Sequence, residues 1–69
     1  MEDIFTLRFR EAIKTSGITQ VELANRVKIS KQCISDFKSG KSFPSIQTLR
    51  LLCKYLDVYA DYLLGLESY

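Results

Sequence analysis

The feature that most constrains the fold of this chain is a two-residue link between two amphipathic segments. One segment opens at Thr19 and the next opens at Ser30, with only Lys28 and Ile29 between the end of the first and the start of the second. Both segments have apolar residues at helical spacing, and a threonine or serine at the start predicts an N-cap. Because so short a link cannot reverse the chain into an antiparallel pair, we expect two helices that cross at a steep angle, as in a helix-turn-helix.

The remaining sequence predicts three more short helices, which makes the fold all-α. The first block covers residues 3–16, the fourth opens at the predicted N-cap Ser45 and has apolar residues as far as Leu56, and the last covers residues 59–64; the helix after the link covers residues 30–38. Gly17, Gly40 and Gly65 follow apolar blocks, as is typical of helix C-termini. The 69 residues make a single domain, 1–69, with a small core. The core is predicted to contain Phe5, Phe9, Ala12, Ile13, Ser16, Leu23, Ala24, Val27, Ile34, Phe37, Ile46, Leu49, Leu52, Cys53 and Leu56.

Composition narrows the classes of function. The chain has no histidine and only two cysteines, so we expect no catalytic residues, no metal site and no cofactor. Cys33 is expected to be a half-buried packing residue rather than a redox sensor. The start Met-Glu-Asp lacks a basic n-region and no apolar run could cross a membrane, which predicts a cytoplasmic protein.

Positive charge is concentrated in the middle of the chain, although the net charge is only +2. Between residues 26 and 41 a single acid, Asp36, accompanies five basic residues: Arg26, Lys28, Lys31, Lys38 and Lys41. The last thirteen residues, 57–69, contain three acids and no base. Such a distribution favours a polyanionic partner near the middle of the chain.

Three stretches carry a pattern of small, polar and apolar residues at fixed spacing. They are Ile18-Thr19-Gln20-x-x-Leu23-Ala24, Ile29-Ser30-x-x-x-Ile34-Ser35-x-Phe37 and Gly40-x-x-x-Pro44-Ser45, and the pattern continues to Leu63-Leu64-Gly65. From residue 5 to residue 65 the chain resembles the phage lambda repressor/Cro type of helix-turn-helix domain, which is XRE-like. The resemblance implies five short helices, with the second and third forming the DNA-reading unit.

The resemblance also implies which side chains contact DNA bases. The third helix would place its first turn in the major groove. The residues of this sequence that match the family's base-contacting positions are Lys31, Gln32 and Asp36, with Ser35 nearby. Lysine can donate to guanine, glutamine can hold adenine with two hydrogen bonds, and aspartate can accept from cytosine. Without the resemblance, these residues would fit a solvated helix face equally well.

Phosphate contacts would position the module without specifying the sequence. Gln20 matches the family position whose amide and adjacent backbone N–H hold a phosphate at a helix N-terminus. The further candidates lie around the third helix and its preceding turn, and they are Ser30, Lys38, Lys41, Ser42, Lys28 and Arg26.

Three departures from the family pattern affect these expectations. Lys28 and Asp57 stand where glycine is usual, which predicts two non-glycine residues in the left-handed region. The family often pairs an arginine late in the first helix with a glutamate at the end of the third, and here those positions hold Ile13 and Lys38. We expect an apolar contact to replace the ion pair and Lys38 to point at solvent or phosphate.

Two classes of function follow from this pattern. The first is a transcriptional repressor that occupies a roughly palindromic operator in double-stranded DNA as a homodimer, because one module contacts too few base pairs for specificity. The predicted dimer patch is Tyr62, Leu66 and Tyr69. The alternative is an antitoxin-like or adaptor module, which is favoured by these residues together with Leu7 and Leu51, since all are apolar and lie outside the core stripes.

Overall fold

The computed structural model describes residues 2–68, which form five helices and no strand. This confirms the all-α fold predicted from the sequence. Within this part of the chain, no helix is long and apolar enough to span a membrane. The helices are α1 (Ile4–Ser16), α2 (Gln20–Val27), α3 (Lys31–Ser39), α4 (Ile46–Leu56) and α5 (Ala60–Leu64).

Side-chain caps set the starts of the first four helices. Thr19, Ser30 and Ser45 each accept a hydrogen bond from the backbone N–H three residues later, and Asp3 accepts one from Phe5. The predicted starts are therefore confirmed, with Ser30 as the cap outside α3. Helix α3 ends at Ser39, one residue later than the sequence predicted.

Lys28 and Asp57 end α2 and α4 in the left-handed region, with φ angles of 64° and 58°. The Lys28 backbone N–H donates to the carbonyl of Ala24, and the Asp57 N–H donates to that of Cys53. The backbone thus keeps the conformation for which glycine is favoured, although neither residue is glycine. The left-handed conformation predicted for both residues is confirmed.

Every helix contributes a fully buried side chain to one core. These side chains are Phe9, Leu23, Ile34, Leu52 and Leu63. The Phe9 ring packs edge-on against Phe37 with the ring centroids 6.1 Å apart. Because Ile34 and Phe37 are both buried, one face of α3 is fixed against the core and the other face is left to solvent.

Two predictions about the core were wrong. Ile46 is 86% exposed because it begins α4 directly after the Ser45 cap, one turn before the buried stripe. Ser16 is exposed at the last position of α1, where its hydroxyl donates to the Ile13 carbonyl at 2.9 Å. The predicted core residues Ile13, Leu49 and Cys53 are half-buried and pack against the core. Conversely, Thr6 is buried without having been predicted, and its hydroxyl makes no hydrogen bond to the described residues.

Candidate nucleic-acid interface

The first turn of α3 presents the predicted base-contacting residues to solvent. Lys31 is exposed at the first position of α3, and Gln32 is exposed on the side of the helix opposite Ile34. Ser30 is also exposed, but its hydroxyl is already used as the cap and accepts from the Cys33 N–H at 3.1 Å. The turn before the helix is closed by a hydrogen bond from the Ile29 N–H to the Ala24 carbonyl at 3.1 Å.

Gln32 and Asp36 are joined across one turn of α3. The Gln32 Nε2 group donates to Asp36 Oδ1 at 3.0 Å. A carboxylate can only accept, so this bond places the amide nitrogen of Gln32 toward Asp36 and the amide oxygen away from it. Asp36 is half-buried, which is consistent with a side chain held against its own helix.

Gln20, at the first position of α2, is hydrogen-bonded to two residues of α3. Its Nε2 group donates to Ser35 Oγ at 2.8 Å, and its Oε1 accepts from Lys38 Nζ at 3.2 Å. All three side chains are half-buried. Ser35 and Lys38 therefore face α2, and the structure joins Gln20, Ser35 and Lys38 in one cluster beside the exposed residues Lys31 and Gln32.

Lys38 does not point freely at solvent, because its ammonium is bonded to Gln20, whereas its contact with phosphate stays a prediction. In addition to its side-chain bond to Gln20, its backbone carbonyl accepts from Arg10 Nη1 at 2.7 Å. Arg10 thus supplies a cation to the C-terminal turn of α3, where the helix dipole favours one. Arg10 was not among the predicted site residues, although its position three residues before Ile13 puts both on the same face of α1.

Arg10 is itself held by Glu2. Its Nη1 and Nη2 groups donate to the two carboxylate oxygens of Glu2 at 2.7 and 2.5 Å. The hydrogen bonds from Arg10 lower the pKa of Glu2 below its ordinary value of 4.5. Hydrogen bonds thus join Glu2 to Arg10, Arg10 to the backbone of Lys38, and the side chain of Lys38 to Gln20.

The other predicted phosphate contacts lie in two loops and on α2. Lys28 and Lys41 are exposed, and Ser42 is half-buried. The Lys41 backbone is held by a hydrogen bond from its N–H to the Asp36 carbonyl at 3.0 Å. Arg26 has partners within the chain, because its guanidinium lies 3.5 Å from Glu22 and 5.8 Å from the centroid of the Tyr55 ring.

The predicted dimer patch is only partly exposed. Leu66 is 69% exposed, whereas Tyr62 is half-buried and packs against the core. The Arg8 guanidinium lies 4.6 Å from the centroid of the Tyr62 ring, and its Nη1 donates to the carbonyls of Tyr62 and Glu67 at 2.6 and 2.5 Å. Tyr69 lies outside the described residues.

The known proteins that this chain resembles are helix-turn-helix proteins. A helix-turn-helix family model matches residues 9–63. The chain is 30% identical over 64 residues to the HTH-type transcriptional activator BcrR of Enterococcus faecalis, which covers 93% of this chain and 31% of BcrR. It is 33% identical over 61 residues to the HTH-type transcriptional regulator ImmR of Bacillus subtilis, which covers 88% of this chain and 48% of ImmR. The chain therefore spans half or less of the length of these two relatives.

A solved structure matches the whole arrangement of helices. The P22 c2 repressor protein, determined in complex with a synthetic operator, superposes with a TM-score of 0.84 at 30% identity. The match covers 91% of this chain and 96% of the repressor chain. Since the family model, the curated relatives and the solved structure agree over most of its residues, the chain belongs to the helix-turn-helix family in its lambda repressor-like form.

Proposed function

We propose that this chain binds double-stranded DNA with sequence specificity and regulates transcription, as a repressor that occupies its operator. The observation that carries the proposal is the match over 91% of the chain to a repressor that was solved on operator DNA. The exposed first turn of α3 supports it, because this is the element that enters the major groove in helix-turn-helix proteins. An operator on the chromosome implies a cytoplasmic, nucleoid-associated location.

Base reading in this proposal falls to Lys31 and Gln32. Lys31 can donate to O6 or N7 of guanine, and Gln32 can pair with N6 and N7 of adenine. The second Nε2 proton of Gln32 is available to adenine N7 while the first stays on Asp36. Asp36 then acts through Gln32, or accepts directly from cytosine N4. Ser35 is a weaker candidate for base contact, because its hydroxyl already binds the Gln20 amide.

Phosphate binding falls to Gln20 and to the lysines beside α3. Gln20 lies at the N-terminus of α2, where the helix dipole and backbone N–H groups favour an anion. Lys28 and Lys41 are exposed in the loops before and after α3, and they add positive charge on both sides of the recognition helix. Ser30 and Ser42 lie in the same two loops.

We propose further that the chain acts as a homodimer on a roughly palindromic operator. A single module contacts too few base pairs for useful specificity, and two-fold symmetry doubles the site. Leu66 supports a contact near the C-terminal end, because it is a large apolar side chain left 69% exposed. Tyr62 and Tyr69 complete the proposed patch.

A protein-interaction role is the second candidate. Exposed apolar side chains favour it, since Leu7 is 41% exposed in addition to Leu66, whereas Leu51 and Tyr62 are half-buried. An antitoxin-like or adaptor module would use this surface for a protein and would need no exposed reading helix.

Selection of bound sequences from a random duplex pool tests the proposed function. We expect enrichment of one motif with two-fold symmetry, and a promoter carrying that motif should be repressed by the chain in a reporter strain. Loss of enrichment in a Lys31→Ala/Gln32→Ala double variant would assign the motif to α3. A pool that stays random for the folded wild-type chain would contradict DNA recognition and favour the adaptor role.

A further inference from the structure

The amide of Gln20 is held at both ends by α3. Its nitrogen donates to Ser35 Oγ at 2.8 Å, and its oxygen accepts from Lys38 Nζ at 3.2 Å. Ser35 and Lys38 are three residues apart, so they lie on the same face of α3. The amide plane of Gln20 therefore bridges two side chains, and a half-turn about its last torsion would exchange the nitrogen and the oxygen.

Only one of the two partners distinguishes the orientations. A serine hydroxyl can donate or accept, so Ser35 can bond either end of the amide. A lysine ammonium can only donate, so Lys38 binds the amide oxygen and excludes the amide nitrogen. The orientation observed for Gln20 thus depends on Lys38.

Orientation matters because Gln20 lies where an anion would bind. In the observed orientation Nε2 has two protons, of which one is used by Ser35 and the other can be donated to a phosphate oxygen. In the exchanged orientation the carbonyl oxygen would take that place, and two acceptors would face each other. The same glutamine would then repel the phosphate.

Lys38 is well placed to fix this amide because its own backbone is anchored. Its carbonyl accepts from Arg10 Nη1 at 2.7 Å, which ties the last turn of α3 to α1. Its side chain is half-buried and directed at α2. The residue at this position therefore connects three helices.

We propose that Lys38 is a positioning residue for the phosphate contact of Gln20: it holds the amide so that the N–H group, and not the oxygen, faces the DNA backbone. The inference rests on the proposed DNA binding. In this inference Lys38 orients the Gln20 amide and does not itself contact phosphate.

A double-mutant cycle separates the two roles of Lys38. Affinity for a duplex with the selected motif is measured for the wild type, Lys38→Met, Gln20→Ala and the double variant over a series of salt concentrations. Lys38→Met should weaken binding about tenfold, the order of one lost hydrogen bond to a charged group, and leave the salt slope nearly unchanged. In the Gln20→Ala background the same change should weaken binding by less than about twofold, because the amide to be positioned is gone.

Lys41→Met is the matched control, because it removes the same charge from the loop after α3. We expect it to lower the salt slope by about one and to be additive with Gln20→Ala. Lys38→Arg should restore most of the affinity, since a guanidinium is also a pure donor. Additive effects of Lys38→Met and Gln20→Ala, with a slope reduced by about one for Lys38→Met, would overturn the positioning role.

An NMR measurement on the free protein tests the orientation without DNA. The wild type and Lys38→Arg should show a nuclear Overhauser effect between the Gln20 amide protons and the Ser35 β protons, and Lys38→Met should weaken it. An unchanged effect in Lys38→Met would overturn the proposal. If the wild type bound no duplex at all, the proposed function would fail together with this inference, whereas wild-type binding with additive effects would overturn the inference alone.

Discussion

Lys28 holds the turn between α2 and α3 in a backbone conformation that few residues other than glycine adopt. Its φ angle is 64°, and steric contact of Cβ in this region costs roughly 1 kcal/mol. We expect Lys28→Gly to raise the free energy of unfolding by up to about 1 kcal/mol, less the greater entropy of glycine in the unfolded chain. Urea denaturation of both proteins measures the difference.

Asp57→Gly is the matched control, with a φ angle of 58° in the wild type. Aspartate tolerates the left-handed region better than lysine, so the gain from this change should be smaller. A lower free energy of unfolding for Lys28→Gly would mean that the lysine side chain stabilises the turn by more than its backbone strain costs.

Gln32 is the residue for which specificity can be tested most cleanly. Replacing it with alanine should cost about 1–3 kcal/mol at the selected motif and little on random duplex DNA, because base contacts and not phosphate contacts are lost. Titrations of both duplexes with the wild type and the variant provide the comparison. Equal losses on the two duplexes would assign Gln32 to phosphate binding.

At the scale of elements, Arg10 connects α1 to the end of α3. Arg10→Met should lower the midpoint of thermal unfolding by more than Glu2→Gln does, because it removes the bond to the Lys38 carbonyl as well as the ion pair. Circular dichroism of the three proteins measures the midpoints. Equal midpoints for the two variants would show that the Lys38 bond contributes nothing.

The ion pair adds a dependence on pH. The pKa of Glu2 is lowered in the folded protein, so its contribution is present above the unfolded value of about 4.5 and is lost as the pH falls through the folded pKa. The small difference in midpoint between the wild type and Glu2→Gln should therefore disappear in acid. A difference that grows as the pH falls would contradict this pairing.

The elements themselves could be predicted because their signals are local. Caps such as Thr19 and Ser30 and the spacing of apolar residues depend on a few neighbours in sequence, and the structure confirms the helices that they predict. Contacts between distant residues could not be predicted in the same way. Arg8 reaches carbonyls 54 and 59 positions away, which requires knowing how α5 returns to α1.

In the candidate site, too, local features could be predicted from the sequence and contacts between distant residues could not. The exposure of Gln32 follows from the helix face opposite Ile34 and that of Lys31 from its place at the start of α3, and the sequence was sufficient to predict both. The bonds of Gln20 to Ser35 and Lys38 were not predictable, because long polar side chains have several rotamers and the packing of α2 on α3 selects among them.

At the scale of the whole molecule, the proposed dimer depends on the C-terminal end. Leu66→Glu should reduce cooperative binding to the palindromic motif, because it places a charge on the exposed apolar patch. Sedimentation with and without the operator measures the number of subunits bound. Leu66 is a better site for this test than Tyr62, whose ring packs on the core and under Arg8.

Ser68→Glu is the control, because it adds the same charge to an exposed residue two positions away without removing an apolar side chain. It should leave cooperativity unchanged. If Leu66→Glu also leaves cooperativity unchanged, or if one subunit saturates the motif, the dimer does not form through this patch.

Binding of duplex DNA through the positively charged surface around α3 requires an affinity that depends on salt. Fluorescence anisotropy with a labelled duplex gives the association constant from about 50 to about 200 mM salt. We expect a log–log slope of about −2 for each bound subunit, because each neutralised phosphate contributes about −0.9 and Lys28 and Lys41 are the two lysines assigned to phosphate. Absence of binding at low salt, or an affinity that does not change with salt, would contradict DNA binding through this surface.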